Sequence, residues 1–203
     1  MKKTALFGFL LVAVLGVCGC GKHTMPYTYS PMVNNQAMTE SSLPLAIIVH
    51  DVRPYIADGR KDANFAGIIR ASFGIPKDVI TERGVAFSFM LKNDLIKDLR
   101  NAGYTVVENG AERYVEINIL DYNFDCFSTC RVWHEIQILI KSKSGKILHS
   151  RTIIDDAVVD NVSPYNGYTA LRNQMPAIYT KVVQDLVRND PEAIAALQRS
   201  PAD

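Results

Sequence analysis

Four cysteines and four histidines are the chain's stock of nucleophiles and metal ligands. Cys126 and Cys130 form a CxxxC pair in the middle of the chain. Three chemistries are open to such a pair: a disulfide, two free thiols, or a metal or redox site. A zinc site wants four ligands, and no second Cys/His pair has a matching spacing. A structural disulfide is the expectation, with free thiols and metal or redox use as the alternatives. His23, His50, His134 and His149 are scattered and form no HExxH, and the chain holds no GxSxG, GxxxxGK(S/T) or GxGxxG. His50 beside Asp51 is the best acid–base candidate, although a strand-end histidine is more often simply hydrogen-bonded or exposed. Asp155 and Asp156 are adjacent carboxylates, but neighbours in a strand face opposite ways, which argues against a joint metal site. The expectation is a chain that is not an enzyme, with no catalytic residue, no metal and no cofactor.

Binding candidates are basic and aromatic. Arg53, Arg60 and Arg70, with Lys61 and Lys77, surround a glycine-rich loop that fits a phosphate, a glycan or an acidic partner. A solvated charged loop is the blander reading. Trp133 beside Arg131 is expected on the less apolar face of a sheet, either as a partner anchor or as cover for that face. Formal net charge is +1, and falls to −1 without Lys2 and Lys3. That balance gives no reason to expect nucleic acid or an anionic membrane surface as a partner.

The N-terminus carries a different chemistry. Met1-Lys2-Lys3 is a positive leader, and Ala5 to Val17 is an apolar run too short for a comfortable membrane span. It ends in Leu15-Gly16-Val17-Cys18-Gly19-Cys20, which resembles the lipobox of bacterial lipoproteins. Cys20 follows the small Gly19 and fits the modified position; Cys18 follows the bulkier Val17 and does not. A plain secretory signal is the alternative. The resemblance implies residues 1–19 as signal peptide and a covalent lipid on Cys20 in place of any cofactor. Each buried CH₂ of an acyl chain contributes about 0.8 kcal/mol, so several chains anchor stably. Gly21 is not the aspartate that marks inner-membrane retention, which implies the outer membrane, facing the periplasm. Residues 20–43 read as a lipidated flexible tether, with Pro26, Pro31, polar residues and no sustained period. Tyr27 and Tyr29 in it have the chemistry to dock on a partner.

Residues 44–203 read as one α+β domain built around the hairpin Tyr114–Lys141. Val115, Ile117 and Ile119 alternate with polar residues; then the phase slips, and Leu120, Tyr122, Phe124 and Cys126 carry the apolar set. If Cys126 lies opposite Cys130, Phe124 faces Val132 and Leu120 faces Ile136. One extra residue at Ile119 or Leu120 then sets Ile117 against Ile138 and Val115 against Ile140, so a β-bulge is predicted there. The same register puts His134 opposite Tyr122 as a packing pair.

Other elements flank the hairpin. Pro44 to Val52 is a first strand, and short strands lie near Ile68 to Ser72 and Val79 to Thr81. Val85 to Ala102 is a helix ended by Gly103, followed by a short strand Tyr104 to Glu108. Ile147 to Val159 is a strand with Leu148, Thr152, Ile154 and Val158 on one face. Tyr168 to Arg188 is a long helix that Pro176 should kink or split, and Asp190-Pro191 caps a last short helix. The predicted fold is a mixed, mostly antiparallel sheet with two long helices packed on one face. The first strand, the helix and the Tyr104 strand would form a right-handed crossover.

Several short motifs carry a resemblance: Val49, Asp51 and Arg53 in VHDVR, Asp58-Gly59-Arg60, Phe73-Gly74-Ile75-Pro76, and LRNAGY from Leu99 to Tyr104. Together with the lipobox, the chain resembles the YajG-type family of bacterial outer-membrane lipoproteins over most of 43–198. In layout it is also similar to accessory lipoproteins of envelope transport machines. The family brings no enzymatic activity with it. The resemblance implies a non-catalytic, lipid-anchored envelope protein. Its partners would be the bilayer, through the acyl anchor, and an envelope protein, as accessory or structural subunit. A lipid- or glycan-binding lipoprotein and, more remotely, an envelope hydrolase are the alternatives.

Overall fold

The computed structural model describes residues 23–31, 43–70, 74–163 and 165–199. They form a mixed seven-stranded sheet in which β1 (His23–Met25), β4 (Pro76–Thr81), β3 (Phe65–Arg70), β5 (Arg113–Cys126), β6 (Cys130–Ser142) and β7 (Ile147–Val158) are neighbours in that order. β2 (Leu45–Asp51) lies parallel to β5. The α+β expectation holds. Antiparallel ladders β5–β6 and β6–β7 dominate, while β1–β4, β2–β5 and β3–β5 are parallel. α2 (Phe87–Asn101) and α3 (Gly167–Leu186) meet over the face that carries Tyr122. Phe87 lies 4.3 Å from the Tyr122 ring and 6.2 Å from the Tyr179 ring, centroid to centroid. Two short helices, α1 (Pro54–Ala57) and α4 (Pro191–Gln198), complete the elements among the described residues.

The central hairpin has the register its apolar pattern demands. Cys126 pairs with Cys130, Phe124 with Val132, Tyr122 with His134, Ile117 with Ile138 and Val115 with Ile140. The shift falls between Ile119 and Asp121, so Leu120 is the extra residue. Ile119, not Leu120, stands opposite Ile136. Without the bulge, half of these fully buried side chains would turn to water. Cys126 and Cys130 are joined by a disulfide, their Cα atoms 4.1 Å apart, as opposed positions across an antiparallel pair allow.

Four local expectations need correction. Tyr104 to Glu108 is not a strand; Val106 makes one bridge to Leu45, and the parallel neighbour of β2 is β5. α3 runs through Pro176 without interruption. On β7, Thr152, Ile154 and Val158 share a face, but it is exposed, and Ile153 is the strand's buried residue.

The fourth correction concerns the tether. Residues 23–31 were expected in a free spacer, yet His23–Met25 forms β1, and Met25, Tyr27 and Tyr29 are buried. Tyr27 packs edge-on against Phe87, Tyr122 and Tyr179 at centroid distances of 5.2–5.9 Å. The alternation Met25-Tyr27-Tyr29 gives an extended segment one apolar face. Burying each large side chain is worth about 1.5–3 kcal/mol, enough to offset the entropy of ordering so short a piece. Cys20 and residues 32–42 lie outside the described residues.

Helix ends follow local chemistry. Gly103 takes φ +91°, and Tyr104 N–H donates to the Leu99 carbonyl while Gly103 N–H donates to Arg100, the paired bonds of a Schellman stop. Asp190 accepts from the N–H groups of Glu192 and Ala193 at 3.0 and 3.1 Å, capping α4 ahead of Pro191.

Candidate functional site

The basic residues around the glycine-rich loop do not converge. Arg53 is fully buried. Its guanidinium meets both Asp51 carboxylate oxygens at 2.8 Å and donates through Nη1 to the carbonyls of Phe65 (3.0 Å) and Tyr122 (3.2 Å). The reason lies in the topology. β2 covers one side of β5 up to Ile119, and β3 resumes at Asp125. The backbone between them needs partners, and Arg53 supplies donors there. It is a structural plug, not the contact residue expected from its place in the loop.

Arg60, Arg70 and Lys61 each hold a carboxylate partner. Arg60 bonds Asp58 at 2.7 Å, Arg70 bonds Asp125, and Lys61 bonds Asp78. Arg60 and Lys61 share a shallow depression with Asp62 and Asp78, so its charges are mixed. Exposed pairs of this kind contribute little to stability and leave no concentrated field for an anion.

Trp133 lies half-buried on the sheet face away from α2 and α3. Its indole N–H donates to Asp121 Oδ2 at 2.8 Å, and the Tyr55 hydroxyl donates to the other oxygen at 2.8 Å. Beside it, Arg131 bonds Asp156 at 2.8 Å, and Ile154 is 75% exposed. These residues line an open cleft with a tryptophan wall, an exposed isoleucine and a bonded ion pair.

The acid–base candidates are also separated. Asp51 is engaged by Arg53, and its neighbour His50 is exposed. Asp155 turns to Lys181 on α3 at 2.9 Å while Asp156 turns to Arg131, on opposite faces of the strand as the alternation requires. Both carboxyls are held below their ordinary range, chiefly by those hydrogen-bonded cations. His134 stacks on Tyr122 at 6.2 Å, and burial depresses its pKa below the ordinary imidazole value. Among the described residues, no group of three His, Cys, Asp or Glu side chains is placed to hold a metal ion, and no helix is long and apolar enough to cross a membrane.

A buried acidic layer between α2, α3 and the N-terminal segment was missed by sequence reasoning. Asp98, fully buried, accepts from the Tyr29 hydroxyl and from Arg188 Nη1 at 3.2 Å. Asp94 accepts from the Tyr179 hydroxyl at 3.1 Å and from Lys97 at 2.7 Å. The signal was present: Asp94 and Asp98 fall on the same side of the helix as Leu91, Leu95 and Leu99, at the i+3/i+4 spacing.

No family model matches this chain, and a search of curated proteins finds no match. Among solved structures, a Xanthomonas campestris protein described under the family model DUF330 aligns over 79% of this chain and 92% of that one. The identity is 12% and the TM-score 0.55, so the two share a fold. A minor lipoprotein from Acinetobacter baumannii aligns at 9% identity over 73% of this chain and 92% of that one, with a TM-score of 0.36, a likeness too slight to carry an argument.

Proposed function

We propose that this protein is a non-catalytic lipoprotein of the bacterial cell envelope, anchored by acyl chains on Cys20, and that it serves an envelope assembly as accessory or structural subunit. The carrying observation is Gly19-Cys20 at the end of a signal-length apolar run, directly ahead of a folded domain. The motifs VHDVR and LRNAGY favour the YajG-type lipoproteins as its relatives. Their roles here are architectural: Asp51 and Arg53 plug the sheet, and Leu99 to Tyr104 stop a helix. Outer-membrane placement rests on Gly21 alone.

The packed segment changes the geometry of the anchor. Two residues separate the lipidated position from His23, a reach of at most about 11 Å. The domain is therefore held against the bilayer surface instead of being lifted off it. Radiolabelled palmitate should enter the wild-type chain and not a Cys20→Ala variant; label persisting in the variant sinks the anchor. Crosslinking in native membranes should capture an envelope protein, and its repeated failure removes the accessory role.

A ligand-binding reading has one observation in its favour. Val132, Ala157, Ile178 and Val182 line an apolar cleft between β6–β7 and α3, with Lys181 at its rim. Native mass spectrometry finding no lipid or glycan on protein purified from membranes counts against it.

A further inference from the structure

β7 ends the sheet, and among the described residues no strand pairs with its outer edge. The Val159 N–H donates to the Cys130 carbonyl at 3.0 Å, which fixes the phase of the β6–β7 ladder. By the alternation of antiparallel pairs, Ser150, Thr152, Ile154, Asp156 and Val158 aim their N–H and C=O groups at the open edge. Asp156 makes this concrete: its N–H is taken by the side chain of its own neighbour, Asp155 Oδ1, at 2.9 Å. The strand is 12 residues long, holds no proline, and carries Ile154 and Val158 exposed at 75% and 67%. Such an edge is a template for another strand.

The charges on β7 indicate which strand. Two copies related by a two-fold axis perpendicular to the sheet bring β7 against itself antiparallel, with helix-side residues meeting helix-side residues. Arg151, Ile153 and Asp155 are on the helix side, as the bonds of Arg151 to Asp190 and of Asp155 to Lys181 require. An axis at Arg151 or at Asp155 sets like charges opposite each other. An axis at Thr152 sets Arg151 against Ile153, and one at Ile154 sets Asp155 against Ile153. An axis at Ile153 sets Arg151 of each copy opposite Asp155 of the other, twice.

We propose that β7 pairs antiparallel with β7 of a second copy about an axis at Ile153, joining two sheets edge to edge through reciprocal Arg151–Asp155 contacts. Thr152 then stands opposite Ile154, and Ser150 opposite Asp156, with their backbone groups bonded across the axis. Arg151 and Asp155 fall at the non-hydrogen-bonded positions, where facing side chains approach most closely. The Asp156 N–H passes to the Ser150 carbonyl of the second copy, which frees the Asp155 carboxylate for Arg151. Both side chains are 45% exposed in the single chain, so each has room for a second contact.

The test is native mass spectrometry of the full chain in mild detergent, at micromolar concentration. A dimer is expected, and a monomer overturns the proposal. Arg151→Asp and Asp155→Arg each set like charges opposite at both contacts and weaken self-association by roughly tenfold or more. Mixing the two variants restores a dimer with one copy of each, because every contact is again Asp opposite Arg. Undiminished single-variant dimers, or no recovery on mixing, overturn the assignment. Thr152→Pro removes an outward N–H that the single chain does not use, so the fold survives and the dimer is lost. A dimer that withstands this proline uses another surface, and the proposal fails.

Discussion

Arg53 grips Asp51 at two points, Nε to Oδ1 and Nη2 to Oδ2, both at 2.8 Å, although the two residues are separated by one position in the chain. The remaining guanidinium nitrogen reaches two backbone carbonyls, so one side chain joins β2, β3 and β5. Planar, bidentate geometry of this kind is available to arginine and not to lysine.

Arg53→Ala should therefore destabilise the domain by about 3–5 kcal/mol, because it leaves the Asp51 carboxylate and two carbonyls without their donor in a buried position. Arg53→Lys should recover less than half of that loss. Urea denaturation of both variants measures it, and a loss under about 1 kcal/mol for the alanine variant contradicts the plug.

Gly67 marks a close approach of backbone to ring. A Cβ built there would sit 2.5 Å from the Phe124 ring. Gly67→Ala should cost about 1–3 kcal/mol through overpacking. Phe124→Leu in the same chain should relieve part of it, giving a positive coupling in a double-mutant cycle.

Tyr27 tests whether the N-terminal segment belongs to the core. Tyr27→Ala removes a ring packed on Phe87, Tyr122 and Tyr179 and should cost about 3–5 kcal/mol. A free spacer would make the substitution neutral. Hydrogen exchange supplies a second reading: the Thr24 and Ser30 amides, which donate to the Tyr168 hydroxyl and Thr180 Oγ1, should be protected.

His134 predicts a pH dependence. Burial is the largest influence on it and lowers its pKa; Asp155 opposes that shift. The folded state thus binds a proton less readily than the unfolded chain. Stability is fully present above the unfolded value, about 6.5, and declines as pH falls below that value toward the folded one. Denaturation midpoints between pH 7.5 and 5 should fall in the wild type, and His134→Gln should flatten that part of the curve.

The sequence by itself determined the hairpin's register except at the bulge. With Cys126 set opposite Cys130, one extra residue at Ile119 or Leu120 keeps both apolar sets inside, and the structure places it at Leu120. The sequence also determined the stop at Gly103 and the start at Asp190, because capping depends on residues within one turn. Tertiary structure alone decided the fate of Arg53. Its loop is polar in sequence, and the carbonyls it serves come from strands that begin and end far along the chain. The same holds for Met25, Tyr27 and Tyr29, whose short alternation becomes a strand and core residues because β4 and the Phe87–Tyr122–Tyr179 cluster leave a place for them. Local patterns report what a segment can bury, whereas the partner that buries it is set by contacts distant in the chain.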